Sequence, residues 1–287
     1  MLYLLLAIIC ASSYSIIFKL FACKGIDSLQ AIGFNYVTAT FLGVVMNFGA
    51  GEMVPLGGGA WGAAALLGAM FTSAFVLMAR STERSGIALT TIAARVALVI
   101  PVVLSYLFIP GQPKPRWAII GIIVASLLLL FWPSKGERKG GNGSGFSAAS
   151  VLYPLFVFLL YGTNNFILDW SRSNLITPPQ TAQLSATIFM FGSLASWGYY
   201  FAVSRKPRFE WKALVGGVAL GFTNYFTTYC MILGLNYLPG TVFFPIYHVS
   251  AVSIVVLVSS LVFGERMRKL QWLGLAVAIV GIVLFFV

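Results

Sequence analysis

The chain has 287 residues, of which 59% are hydrophobic and only 9% charged, and its mean hydropathy is +0.93. A soluble domain carries about 25% charged residues, so a dispersed globular fold is excluded and the solvent is lipid. The formal net charge of +11 does not imply nucleic acid, because the Lys and Arg residues sit in short loops between apolar runs, where they set membrane orientation.

A membrane crossing needs about 20 mostly apolar residues, and ten stretches meet that description. In chain order they are Leu2–Cys23, Ser28–Gly49, Trp61–Arg80, Ser85–Ile109, Arg116–Trp132, Ala148–Trp170, Pro179–Val203, Lys212–Gly234, Leu238–Phe263 and Leu270–Val287. The run from Met1 lacks a basic leader and a cleavage site, so it reads as the first span. Helix breakers fall between spans: Gly57-Gly58-Gly59, Pro110-Gly111, Pro178-Pro179 and Leu238-Pro239-Gly240. The stretch Ser134–Ser147 is rich in Gly and charge and has the composition of a linker. It divides the chain into a first five-helix repeat (1–133), a polar linker (134–147) and a second five-helix repeat (148–287).

A displacement of 153 residues aligns Ser85–Gly121 with Leu238–Gly274 without a gap, matching Gly111 with Gly264, Gln112 with Glu265 and Gly121 with Gly274. A displacement of 150 matches Ser12 with Gly162, Lys19 with Asp169 and Trp61 with Trp211. Five is odd, so the second half enters the bilayer from the opposite side. The expected architecture is an all-α polytopic membrane protein, ten transmembrane helices arranged as two inverted repeats around a central cavity. Gly217 and Gly221 in the eighth span, and Gly274, Ala278 and Gly281 in the tenth, suit close helix packing and need no ligand. Loops after odd-numbered spans carry or border most of the Lys and Arg residues, whereas loops after even-numbered spans hold only Lys114, Arg116 and Arg172. The positive-inside rule then puts the first set in the cytoplasm and both termini outside.

An ionisable residue deep in a span is a functional candidate. Arg95 lies in the fourth span and His248 in the ninth, and the 153-residue offset pairs them. In an inverted repeat both approach the pseudo-two-fold axis, so two cationic or cationisable groups could face one cavity. Arginine offers a fixed charge and a planar fork suited to carboxylate or phosphate. The bland alternative is an arginine held by carbonyls or amides that locks two helices, or a neutral histidine bonded to the backbone. Polar residues at helical spacing accompany the pair: Tyr161, Asn164, Asn165 and Asp169 in the sixth span, and Asn224, Tyr225, Thr228 and Tyr229 in the eighth. Thr91 and Tyr247 neighbour Arg95 and His248, Ser12, Ser13 and Ser15 cluster in the first span, and Asn35 and Thr38 lie in the second. The candidate substrate site is Arg95, His248, Asn164, Asn165, Tyr161, Asn224, Tyr225, Tyr229, Tyr247, Thr91, Ser13 and Asn35. Lys19 and Asp169 read as interfacial, with Lys19 snorkelling. No carboxylate falls near mid-span, so facilitated diffusion or exchange fits better than a carboxylate-driven pump. Cys10, Cys23 and Cys230 are far apart and read as small core residues, no metal or cofactor motif is present, and neither are the motifs of a P-loop, HExxH or GxSxG enzyme.

The run PIYHVSAVSIVVLVSSLVFGERMRKLQWLGLAVAIVGIVL, from Pro245 onward, and its weaker echo IPVVLSYLFIPGQPKPRWAIIGIIV resemble the ten-span proteins with EamA-like halves of the drug/metabolite transporter superfamily. In the echo Gln112 replaces the glutamate the family pattern expects. The resemblance implies a basket of helices whose cavity wall comes from spans 1, 3, 4, 6, 8 and 9, alternating access by rocking bundles, and substrates such as amino acids, sugars, nucleotide derivatives or organic cations. It also implies cytoplasmic termini, against the charge count. The expected protein is a multi-pass transporter of the cell (inner or plasma) membrane, monomer or homodimer, exporting or exchanging a small polar metabolite such as an amino acid. A nucleotide-sugar or amine carrier is the alternative, and a membrane scaffold or intramembrane lipid-modifying enzyme the alternative of another class.

Overall fold

The computed structural model describes residues 1–49, 55–85, 87–130, 148–204, 209–263 and 269–286. The linker 134–147 and the Gly264-Glu265 turn lie outside the described residues, as do the side chains of Ser15, Lys19, Cys23 and Glu83.

With no water to satisfy backbone groups, apolar runs of this length must close their hydrogen bonds internally. Among the described residues the structure is helical throughout, with no strand. The helices are α1 (Leu2–Lys24), α2 (Ser28–Gly49), α3 (Gly58–Ser85), α4 (Ile87–Val96), α5 (Val99–Phe108), α6 (Trp117–Leu130), α7 (Ala148–Asn174), α8 (Thr181–Val203), α9 (Trp211–Leu235), α10 (Gly240–Phe263) and α11 (Lys269–Phe286), with a 3-10 turn at Pro178–Gln180 before α8. Among the described residues, six segments are long and apolar enough to cross a bilayer: Ser28–Phe48, Gly58–Met78, Thr90–Phe108, Pro178–Val203, Trp211–Leu235 and Gly240–Val258. Leu2–Ser13, Trp117–Leu130 and Lys269–Phe285 are shorter apolar helices. Trp61, Trp117, Trp211 and Trp272 lie exposed at helix starts and Trp170 near a helix end, the position of an interfacial aromatic belt. The chain is a multi-pass membrane protein.

The fourth span departs from expectation. It is not one helix: α4 stops at Val96 and α5 starts at Val99. Pro101 has no N–H to offer the Ala97 carbonyl one turn back, and its ring crowds that carbonyl. The backbone tightens there, with Leu98 N–H donating to Arg95 O (3.3 Å) and Ile100 N–H to Ala97 O (3.0 Å). Gly162 of α7 lies against this break. A Cβ at Gly162 would stand 2.5 Å from Ile100 Cβ and 2.8 Å from Ala97 O, so only glycine admits the approach.

The chain forms two compact units. One comprises Met1–Thr72 with Ile167–Leu238, the other Ser73–Phe166 with Pro239–Val287. Each draws on both sequence halves, and α3 and α7 contribute to both. In the first unit α2 packs on α8 and α9, and α1 packs on α9. Gly217 would place a Cβ 2.5 Å from Phe34 Cβ and 2.6 Å from Ala31 O, and Gly221 one 2.6 Å from both Asn35 O and Thr38 Cβ. The small-residue pair read from the sequence is thus the α9 face that meets α2. Gly33 faces Trp197 and Gly43 faces Ala186, so α2 and α8 run antiparallel. α1 ends at Gly25, which takes the left-handed conformation (φ 63°) that lets its N–H cap the Phe21 carbonyl.

In the second unit α6 packs on α11 and α5 on α10. Gly274 lies against the Leu130 backbone and Gly281 against Ile123, with Ala278 fully buried between them in sequence. Arg116 Nη1, just ahead of α6, donates to the Leu284 carbonyl at 3.0 Å, and Gln271 Nε2 near the start of α11 donates to Leu130 O at 3.3 Å. The fifth and tenth spans therefore run antiparallel.

Candidate functional site

The predicted site residues fall into two sets, one in each unit. In the second unit α10 carries Tyr247 and His248, α7 carries Tyr161, Asn164 and Asn165, and α4 carries Thr91 and Arg95. His248 is 4% exposed and its Nε2 lies 3.2 Å from Asn165 Nδ2. Its Nδ1 is buried without a protein partner among the described residues. Tyr247 meets the imidazole edge-on at 5.0 Å between ring centroids, and Phe244 lies over it at 6.5 Å. Arg95 stands on α4 of the same unit. It is half-buried, one residue from the end of α4, and has no hydrogen bond or ion pair among the described residues. Thr91, one turn earlier on α4, is also half-buried. Tyr161 Oη donates to Met78 Sδ at 3.1 Å. Asn164 is 5% exposed with Oδ1 unpartnered among the described residues. A buried polar atom without a partner costs about 1–3 kcal/mol. A fixed cation, an imidazole and an amide oxygen therefore stand in one unit with unmet bonding capacity.

In the first unit the glycine contacts bring α9 onto α2, and this sets Asn224 against Asn35. Asn224 Nδ2 donates to Asn35 Oδ1 at 3.2 Å. Asn35 is fully buried, and its own Nδ2 finds no partner among the described residues. Tyr225 is fully buried with its hydroxyl unpartnered among the described residues, and it stacks on Tyr229 at 5.6 Å with an interplanar angle of 14°. Ser12 and Ser13 donate to the Ile8 and Ile9 carbonyls at 2.7 and 2.9 Å, the back-bonding habit of helical serines. A groove of about 270 Å³ between α2 and α8, lined by Val37, Thr40, Phe41, Met190, Ser193 and Leu194, contains none of the predicted site residues.

Two features were not anticipated. Asp169, read as interfacial, is fully buried and pairs with Arg172 at 2.9 Å, while Arg172 also reaches Asn236 at 3.3 Å. The i, i+3 spacing of the pair was the available signal. Tyr161, Asn165 and Asp169 share a helical face yet serve separate ends, since Asp169 belongs to the first unit and the other two to the second.

Residues 150–287 match the EamA-like transporter family. An uncharacterized protein of Haemophilus influenzae is 27% identical over 291 residues, covering 95% of this chain and 93% of that protein. UDP-galactose transporter homolog 1 of Eremothecium gossypii is 25% identical over 206 residues, covering 66% of this chain and 60% of that protein. A solved crystal structure superposes with a TM-score of 0.78 over 98% of this chain and 94% of that chain at 13% identity, a likeness of fold alone.

Proposed function

We propose that this chain, whose residues 150–287 match the EamA-like transporter family, belongs to the drug/metabolite transporter superfamily and is a secondary transporter of a small polar metabolite bearing a carboxylate, such as an amino acid. The observation that carries the reading is Arg95. A guanidinium in an apolar span costs at least about 2.5–3.5 kcal/mol, and here no protein group among the described residues pairs with it. A carboxylate matches its planar fork with two parallel hydrogen bonds. The unpartnered Asn164 Oδ1 on the same unit would accept from an ammonium, which favours an amino acid over a simple organic acid. The antiparallel course of α6 and α11, the fifth helices of the two sequence halves, supports the inverted repeat on which alternating access rests. Exchange or export fits the chain, because the buried Asp169 is already paired with Arg172.

The test is a thermal-shift screen of purified protein against amino acids, organic acids, nucleosides and amines, repeated with Arg95→Ala. Carboxylate ligands are expected to stabilise the wild type and to lose at least tenfold in apparent affinity in the variant. Equal stabilisation of both forms would defeat the clamp. A nucleotide-sugar substrate is the second reading, favoured by the name of the Eremothecium relative. Counterflow in proteoliposomes driven by UDP-sugars but not by amino acids would select it.

A further inference from the structure

Asn165 bears on the chemistry of the site more than its ordinary amide suggests. Its Nδ2 points at His248 Nε2 at 3.2 Å. An amide N–H₂ can only donate, so Nε2 must accept, and an imidazole that accepts at one nitrogen carries its proton on the other. That other nitrogen, Nδ1, is the buried atom with no protein partner among the described residues. The opposite amide orientation would present Oδ1 to an Nε2–H and leave Nδ1 a lone pair, so the direction of this one amide decides whether the open nitrogen gives or takes a hydrogen bond. The surrounding rings of Phe244 and Tyr247 hold the imidazole plane, which fixes where Nδ1 aims.

We propose that Asn165 is a positioning residue that holds His248 in the Nδ1–H tautomer, and that Nδ1–H donates to an acceptor oxygen of the substrate, making this pair a determinant of specificity for carboxylates and carbonyls over amines. The inference rests on the transporter reading above, with Arg95 supplying the charge and His248 the direction. A donor left unmet in a dry site rejects ligands that bring only donors, because both donors then stay unpaired. Discrimination against an amine isostere is therefore larger than the worth of one hydrogen bond.

The chain contains a single histidine, so imidazole ¹⁵N labelling of the full-length protein gives one pair of ring signals. The expected spectrum shows a protonated-type Nδ1 and an unprotonated-type Nε2, and Asn165→Ala is expected to give exchange-averaged tautomers. An Nε2–H tautomer in the wild type overturns the proposal. In ligand titrations H248N places its amide nitrogen near the Nδ1 position and is expected to stay within about threefold of wild type. H248Q places its nitrogen near Nε2 and is expected to lose at least tenfold for carboxylates. Equal behaviour of the two variants, or wild-type affinity in H248Q, also overturns it. Should both variants misfold, the wild-type spectrum still decides. Arg95→Ala separates the two readings: undiminished binding there defeats the clamp, while the tautomer spectrum answers for Asn165 alone.

Discussion

Gly221→Ala isolates the packing that brings α9 onto α2. An ideal Cβ at that position lies 2.6 Å from the Asn35 carbonyl oxygen and 2.6 Å from Thr38 Cβ, about 1 Å inside the usual 3.5–4.0 Å contact of carbon atoms. Neither obstacle is a flexible side-chain tip, so the helices must part. Overpacking of this kind costs about 1–3 kcal/mol. Separation also stretches the Asn224–Asn35 hydrogen bond, already 3.2 Å, which removes about 1 kcal/mol more. Alanine's better helix propensity returns about 1 kcal/mol, leaving a net loss of about 1–3 kcal/mol. Gly198 is the internal control, because a Cβ there meets nothing within 4 Å, and Gly198→Ala should gain up to about 1 kcal/mol. Equilibrium unfolding of both variants in mixed detergent micelles measures the difference. If Gly221→Ala is as stable as wild type, the close approach of α9 and α2 is wrong.

Gly162→Val should lower the unfolding midpoint further than Gly162→Ala, since even the first carbon collides with Ile100 and the Ala97 carbonyl. Arg172→Ala should lower stability in chemical denaturation by about 1–3 kcal/mol, because it removes the charge-assisted hydrogen bond to the fully buried Asp169 carboxylate. Arg172→Ala/Asp169→Asn should recover part of that loss, and a double variant no better than the single one would count against the ion pair. A cysteine-free chain tagged at the C-terminus should label from outside the cell if the basic loops are cytoplasmic. Labelling confined to the cytoplasmic side overturns the charge reading.

The helices and their sticky faces were readable because they depend on local composition: an apolar run must become a helix in lipid, and Gly217, Gly221 and Gly274 mark where a neighbouring backbone comes close. One offset between halves pairs Arg95 with His248 in the sequence, and both fall in the same compact unit. The break at Ala97–Leu98 was missed although Pro101 was in plain view, because hydropathy averaged over a span is blind to one missing donor. The burial of Asp169 was missed because an acid near a helix end ordinarily reaches water, and only its tertiary setting prevents that. Two interleaved units could not be read at all, since nothing in a linear string says which helix of one half will settle against which helix of the other.

The bond between Asn224 and Asn35 spans 189 residues of sequence. A ribosome adding roughly 5–20 residues per second needs about 10–40 s to produce the second asparagine after the first. For that interval α2 sits in the bilayer, or beside the insertion machinery, with a naked amide and an open glycine-accepting face, and the unit that buries both cannot close until Leu238 has emerged. Biogenesis of this chain is therefore a problem of waiting: its earliest helices must be kept from settling on the wrong neighbours until partners from the far half arrive.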